Sequence, residues 1–212
     1  MRRLVVPALA LGAAVGVGFG YSATETIEIT ARPTVLRWTQ SMIVAGGVGS
    51  GRAGVDVYLE SRACDEQKWE LVAGPHTDDA GRFAVELGAS VNLLLRARAD
   101  GATSNLLAIK QRPSVTLQQR PKGTFWVHVN ATRPLYRRTV VLQRFDPSRR
   151  TWRAVRSARL TQTGSNPGSP FVWSRTEKFR ATIPRQTLLR ATLPLQQARP
   201  CYVGGYSNLL RR

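Results

Sequence analysis

Cysteine and histidine are scarce in this chain, with two of each in 212 residues. Two cysteines exclude a disulfide-dense miniprotein and any self-contained multi-cysteine zinc site, and two histidines leave little for a His-rich metal centre. Helical periodicity of any length is missing after the leader, and no second apolar run of membrane length follows it. Ser, His and acidic side chains show neither nucleophile-elbow nor metalloprotease spacing, so no catalytic residue and no enzyme activity is expected. His76 with Asp78 and Asp79 comes nearest to a ligand set, but Pro-His-Thr-Asp-Asp without further ligands reads as a turn. The stretch Gly46-Gly47-Val48-Gly49-Ser50-Gly51 matches a phosphate cradle only by glycine count; lacking the Lys and the following helix, it reads as a strand end and loop. Asn130-Ala131-Thr132 fits a glycosylation acceptor pattern that is common by chance. No cofactor or metal is expected.

What is present begins with a leader. Arg2 and Arg3 precede an uncharged apolar run from Leu4 to Phe19, followed by Tyr21, Ser22 and Ala23. That is the shape of an export signal, short and glycine-bearing for a stable bilayer helix. Tyr21 stands where a small residue is usual before a cut after Ala23, which keeps an uncleaved anchor as the alternative. Either way the two arginines stay cytoplasmic and the chain beyond residue 23 lies outside. The expected localisation is secreted or extracellular, with membrane contact only through this segment if it is retained.

Behind the leader the chain repeats itself. Arg32-Pro33-Thr34-Val35 recurs as Arg112-Pro113-Ser114-Val115, and Val57-Tyr58-Leu59 recurs as Val140-Val141-Leu142. A Trp follows each of the latter, Trp69 and Trp152, with Val72 and Val155 beyond. Leu94-Leu95-Arg96-Ala97 recurs as Leu188-Leu189-Arg190-Ala191, and Gly101 with Ser104-Asn105-Leu106-Leu107 as Gly204 with Ser207-Asn208-Leu209-Leu210. The same order in both copies predicts a duplicated module, joined near residues 109 to 112. Each copy reads as β: short β-branched and aromatic runs alternate with polar residues and are broken by Gly, Pro, Asp and Asn. The first copy predicts strands at 33–38, 42–48, 54–61, 68–73, 82–87, 91–99 and 103–109. The second predicts 114–119, 124–131, 138–145, 150–157, 177–183, 187–193 and 204–210. Asp78-Asp79-Ala80-Gly81 predicts a turn in which Asp bonds its own backbone and Gly takes a positive φ. His128, in an alternating strand with Phe125, Val127 and Val129, should face solvent.

The pattern Val-x-Leu then Trp-x-x-Val, followed by Asp-x-Gly-Arg-Phe and by Leu-Arg-Ala with a nearby Gly and Ser-Asn, resembles bacterial immunoglobulin-like modules of secreted proteins from high-GC Gram-positive bacteria. The second copy lacks the Asp-x-Gly turn and carries insertions around Gly164 to Pro170 and Leu195 to Tyr202. The resemblance implies two tandem immunoglobulin-like β-sandwich domains, at 24–110 and 111–212, after the 1–23 leader. It implies roles as spacer, adhesion unit or neighbour of a carbohydrate-binding module, because fold does not dictate activity. Neither copy has its own cysteine pair, so each core must be held by apolar packing.

Charge separates the copies. Residues 24–110 hold 9 basic and 11 acidic side chains, a net −2; residues 111–212 hold 20 basic and only Asp146 and Glu177 as acids, a net +18. Of the 31 basic residues 27 are Arg, as a high-GC genome favours, but that bias acts on both copies and does not remove acids from one. An exported module of this charge attracts polyanions, and guanidinium suits phosphate because its planar fork donates two parallel hydrogen bonds. The densest candidates are Arg149, Arg150, Arg153, Arg156 and Arg159 around Trp152, with Arg133, Arg137 and Arg138 as a second cluster. The alternative is a solvated basic surface that serves only solubility.

In a seven-stranded sandwich, the loop between the third and fourth strands lies at the module's C-terminal pole. The loop between the sixth and seventh lies at the pole where the module's chain enters. Cys64 falls in the first kind of loop and Cys201 in the second, so end-to-end modules would bring them together. This geometry predicts a Cys64–Cys201 disulfide across the junction, against two free or intermolecularly paired thiols. The charges agree, since Asp65 and Glu66 adjoin Cys64 while Arg133, Arg137 and Arg138 lie at the facing pole. The functional reading is an exported, non-enzymatic cell-surface protein whose basic second domain contacts anionic envelope polymer; the alternative is a passive spacer or protein–protein adhesion unit with incidental charge.

Overall fold

Alternation sets the first layer. In β1 (Ile27–Arg32) Ile27, Ile29 and Ala31 are buried while Glu28, Thr30 and Arg32 are exposed, the period-two pattern of a strand with one face on a core. A computed structural model describes residues 25–212. Residues 1–23, expected from sequence to be an export signal or anchor, lie outside the described residues. Among the described residues no helix is long and apolar enough to cross a membrane.

The protein is all-β. The first half continues through β2 (Val35–Leu36), β3 (Ser41–Val48), β4 (Tyr58–Ala63), β5 (Glu70–Ala73), β6 (Arg82–Gly88), β7 (Leu93–Ala99), β8 (Ala102–Thr103) and β9 (Leu107–Gln111). These form a three-stranded sheet in the order β1-β3-β6 and a second sheet in the order β2-β9-β7-β4-β5, with β8 beside β7. Ile29, Met42, Val44 and Phe83 from one sheet and Leu36, Leu59, Leu95 and Ile109 from the other share one buried apolar cluster. The Asp78 turn forms as the residues dictate: Asp78 Oδ1 accepts from the backbone N–H of Ala80 and Arg82, both at 2.9 Å. Gly81 takes φ +70°, and a Cβ there would stand 2.5 Å from Gly51 Cα.

The second half holds β10 (Ser114–Arg120), β11 (Thr124–Ala131), β12 (Thr139–Asp146), β13 (Thr151–Ser165), β14 (Val172–Thr176), β15 (Phe179–Arg180), β16 (Leu188–Leu193), β17 (Gly205–Tyr206) and β18 (Leu210–Arg211). A single turn of helix, α1 (Leu195–Ala198), lies between β16 and β17. The strands run in the order β10-β11-β14-β13-β12-β16-β17. They stay joined because β13 spans 15 residues, pairing first with β12 and then, from Leu160 on and with an irregularity at Leu160/Gln162, with β14. A second cluster, including Leu117, Phe125, Val127, Leu142, Leu160, Leu189 and Tyr202, fills this half.

Several expected bounds are corrected. β1 precedes the first strand expected at 33–38, of which only the two-residue β2 forms, parallel to β9. The strand expected at 150–157 runs on to Ser165 and folds back as β14, so the insertion around Gly164 to Pro170 is the tip of a hairpin. The span expected at 177–183 holds only the two residues of β15. The matched Arg-Pro stretches are also inequivalent: the first leads into β2, the second into β10, which pairs with β11 as β1 pairs with β3.

The other repeats occupy matching positions. Asn105 bonds the backbone N–H and C=O of Ile29 at 3.0 and 3.1 Å, and Asn208 bonds those of Leu117 at 2.9 and 3.2 Å. Ser104 Oγ accepts from Ala97 N–H as Ser207 Oγ accepts from Ala191 N–H. Arg96 lies 4.1 Å above the Trp69 ring and donates to Glu60 at 2.8 Å; Arg190 lies 4.1 Å above Trp152 and donates to Gln143 at 2.8 Å. The position that holds a carboxylate, Glu60, in the first half holds its neutral isostere, Gln143, in the second, and both accept the hydrogen bond from the arginine.

The halves are tied at their junction. Cys64 and Cys201 form a disulfide with Cα atoms 5.1 Å apart. Beside it Arg133 pairs with Asp65 at 2.8 Å and Glu66 at 3.3 Å. Asn92 N–H donates to the Cys201 carbonyl and its side chain to that of Pro200, each at 2.8 Å. Trp38 packs on Phe171 with ring centroids 4.7 Å apart, and Val91 is buried in the second half's cluster.

Candidate anion-binding face

The eight arginines singled out by sequence do not share a face. Arg133, Arg137 and Arg138 stand at the start of β12 and Arg149 and Arg150 in the turn beyond its end, about 25 Å apart for a strand of that length. Arg133 is committed to Asp65 and Glu66, and its hydrogen bond holds the Asp65 carboxyl below the ordinary carboxylate range. Arg137 lies over the Tyr136 ring at 5.4 Å, and Arg138 reaches the Arg199 carbonyl at 3.5 Å. Arg153 pairs with Asp146 at 2.8 Å. Arg156, opposite the buried Leu142, shares the inner face and donates to the Arg180 carbonyl at 2.9 Å. Arg159, opposite Thr139, points the other way. The β-bulge beside Leu142/Gln143 and the alternation of β13 divide what looked like one cluster.

A different set converges on the outer face of the sheet β10-β11-β14. In β11, Phe125, Val127, Val129 and Ala131 are buried, which turns Thr124, Trp126, His128 and Asn130 outward. Register places Gln118 opposite Trp126, and Thr116, His128 and Arg175 in one row with Gln162 of β13 beyond. Ser114, Asn130, Trp173 and Gly164 form the next row. Trp173 lies across Gly164, where a Cβ would meet its Cζ2 at 2.6 Å. Its ring and that of His128 meet edge to face, with centroids 5.9 Å apart. His128 does lie on the outward side, but its Nε2 is buried without a partner; desolvation first, and Arg175 second, hold its pKa below the ordinary value.

Two tryptophans back two guanidiniums on this face: Arg120 lies 5.3 Å from the Trp126 ring centre and Arg175 5.7 Å from that of Trp173. Gln162 Oε1 accepts from Arg175 Nε at 3.0 Å and from Nη2 at 2.6 Å, which fixes the guanidinium plane. Arg120, Trp126, Gln162, Arg175, Thr176, Glu177 and Lys178 line a cavity of about 590 Å³. Three cations face one acid there.

The matching face of the first half lacks the tryptophans. The Asn105 and Asn208 contacts align Ile29 with Leu117, so the row Glu28, Gly47 and Arg82 answers Thr116, His128 and Arg175, and Ala45 answers Trp126. Sequence reasoning missed this face because β14 was not expected, leaving Trp173 and Arg175 unplaced. The available signal was the outward parity of Trp126 in the expected strand 124–131.

Fold and site together define an all-β protein with a basic, tryptophan-backed sheet face. No protein-family model matches the chain, and no curated protein resembles it in sequence.

Proposed function

We propose that this is an exported, non-enzymatic cell-surface protein of two tandem immunoglobulin-like modules, whose second module contacts anionic envelope polymer. The observation that carries the reading is the division of charge: net −2 before residue 111 and +18 from there on. Glu60 in the first half and Gln143 in the second accept the same kind of arginine hydrogen bond, so that contact does not depend on the acid. Such a surface concentrates polyanions and steers their approach.

The junction favours a second reading, that of a passive spacer. A disulfide, an arginine paired with two acids and two hydrogen bonds from Asn92 tie the halves, as a rod holding another domain away from the envelope would require. Salt titration of binding by the full chain to teichoic acid, heparin and DNA decides between them. Affinity that falls steeply with salt yet survives at physiological ionic strength supports polyanion contact. Loss of all binding at that ionic strength leaves the spacer.

A further inference from the structure

We propose that the outer face of β10, β11 and β14 is a receptor for the phosphate groups of an anionic glycan, with Arg120 and Arg175 as its paired anion ligands and Lys178 beside them. The proposal rests on the polyanion reading above and gives it a place. A guanidinium lying on an indole is restrained by the ring while the N–H groups along its edge stay available to an anion. Arg175 is further oriented by Gln162, which takes Nε and Nη2 and leaves Nη1 without a protein acceptor among the described residues. Arg120 has no acidic partner within ion-pair distance among the described residues, unlike Arg133 and Arg153. A planar fork held in this way suits a phosphate oxygen pair better than a mobile lysine does.

The face favours a glycan over nucleic acid. Trp126 is capped by Arg120, and Trp173 lies on Gly164 with Arg175 above it, so neither ring offers an open slot in which an unstacked base could sit. The guanidiniums present charge recognition without base recognition. The cavity of about 590 Å³ is of the size that takes a small ligand or a sugar unit of a chain. Glu177, at its rim, would repel a second anion and so help set the spacing at which phosphates are accepted. On the corresponding face of the first half Arg32 and Arg82 stand where Arg120 and Arg175 do, but Ala45 replaces Trp126, Arg82 has Asp78 at 3.7 Å, and among the described residues no tryptophan backs either guanidinium.

The test is calorimetric titration of the full chain with purified teichoic acid, comparing wild type with Arg120→Gln/Arg175→Gln and with Arg149→Gln/Arg150→Gln. All three carry folding controls by thermal melting. Removing the tryptophan-backed pair should weaken binding by at least tenfold and reduce the slope of log K against log salt by roughly 1 to 2. Removing the two hairpin-tip arginines, an equal change in charge, should weaken it less than threefold. Equal losses in the two variants would overturn this site while leaving the polyanion reading intact. Wild-type protein that binds no polyanion would overturn both. Tighter binding to a DNA duplex or to alginate, a carboxylate polymer, at equal charge concentration would overturn the phosphate-glycan assignment.

Discussion

Asn105 and Asn208 each close a gap between strands that do not pair. The side-chain oxygen of each accepts a backbone N–H, and its amide donates to the carbonyl of the same residue, Ile29 in one case and Leu117 in the other. Replacing either Asn by Ala leaves a buried strand residue with two unanswered backbone groups, at about 1–3 kcal/mol. Asn208→Ala and Asn105→Ala should therefore each lower the urea-unfolding free energy by a similar amount, and no loss in either would show that the bonds are solvent-compensated. The Asp65–Arg133 pair is weaker, since both side chains are more than a third exposed, at 39% and 44%. Its sign is nonetheless clear. The folded state holds the Asp65 carboxyl below its unfolded value, so its contribution is present above about pH 4 and fades as pH falls further. Asp65→Asn should lower stability slightly at neutral pH, and the difference from wild type should vanish in denaturation curves recorded in acid.

Among the elements, β13 and β14 decide the character of the second half. Gly164 is required there by contact, because any Cβ would enter the Trp173 ring. Gly164→Ala should lift Trp173 from the sheet and shift tryptophan fluorescence to longer wavelength; an unchanged spectrum would show the ring is held by other contacts. Phosphate-glycan affinity should drop with it, since Arg175 loses its backing. Much of this fold could be read from residue patterns: the alternation of β11, the Asp78 turn, the Trp with its Arg, and the Ser-Asn pairs all stand where their local chemistry puts them. β1 could have been read too, since Ile27, Ile29 and Ala31 alternate cleanly, but the Arg-Pro match drew the module's start past it. That match misleads because four similar residues say nothing about hydrogen-bond partners: one stretch enters a two-residue strand beside β9, the other a seven-residue strand beside β11. The candidate anion-binding face was hidden because Trp173 and Arg175 join Trp126 and Arg120 only through the register of β14 with β11.

At the scale of the whole molecule, the junction and the charge division belong to one arrangement. The two signs of charge meet at the junction, where Asp65 and Glu66 of the first half pair with Arg133 of the second beside the Cys64–Cys201 bridge. The disulfide closes 137 residues of chain, including both ends of the junction, so it restricts the unfolded ensemble far more than a local bridge would. The entropic model gives about 5 kcal/mol for a loop of this length, before any native-state strain is subtracted. Cys64→Ala/Cys201→Ala should then reduce the unfolding free energy by several kcal/mol without separating the halves, because Asn92, Arg133 and the Trp38–Phe171 contact remain. Denaturation of the variant against the oxidised wild type measures the first effect, and small-angle scattering the second. A loss of stability with an unchanged radius of gyration is expected. An expanded variant would mean that the bridge alone holds the two halves together, and that a reducing environment would turn a fixed junction into a hinge.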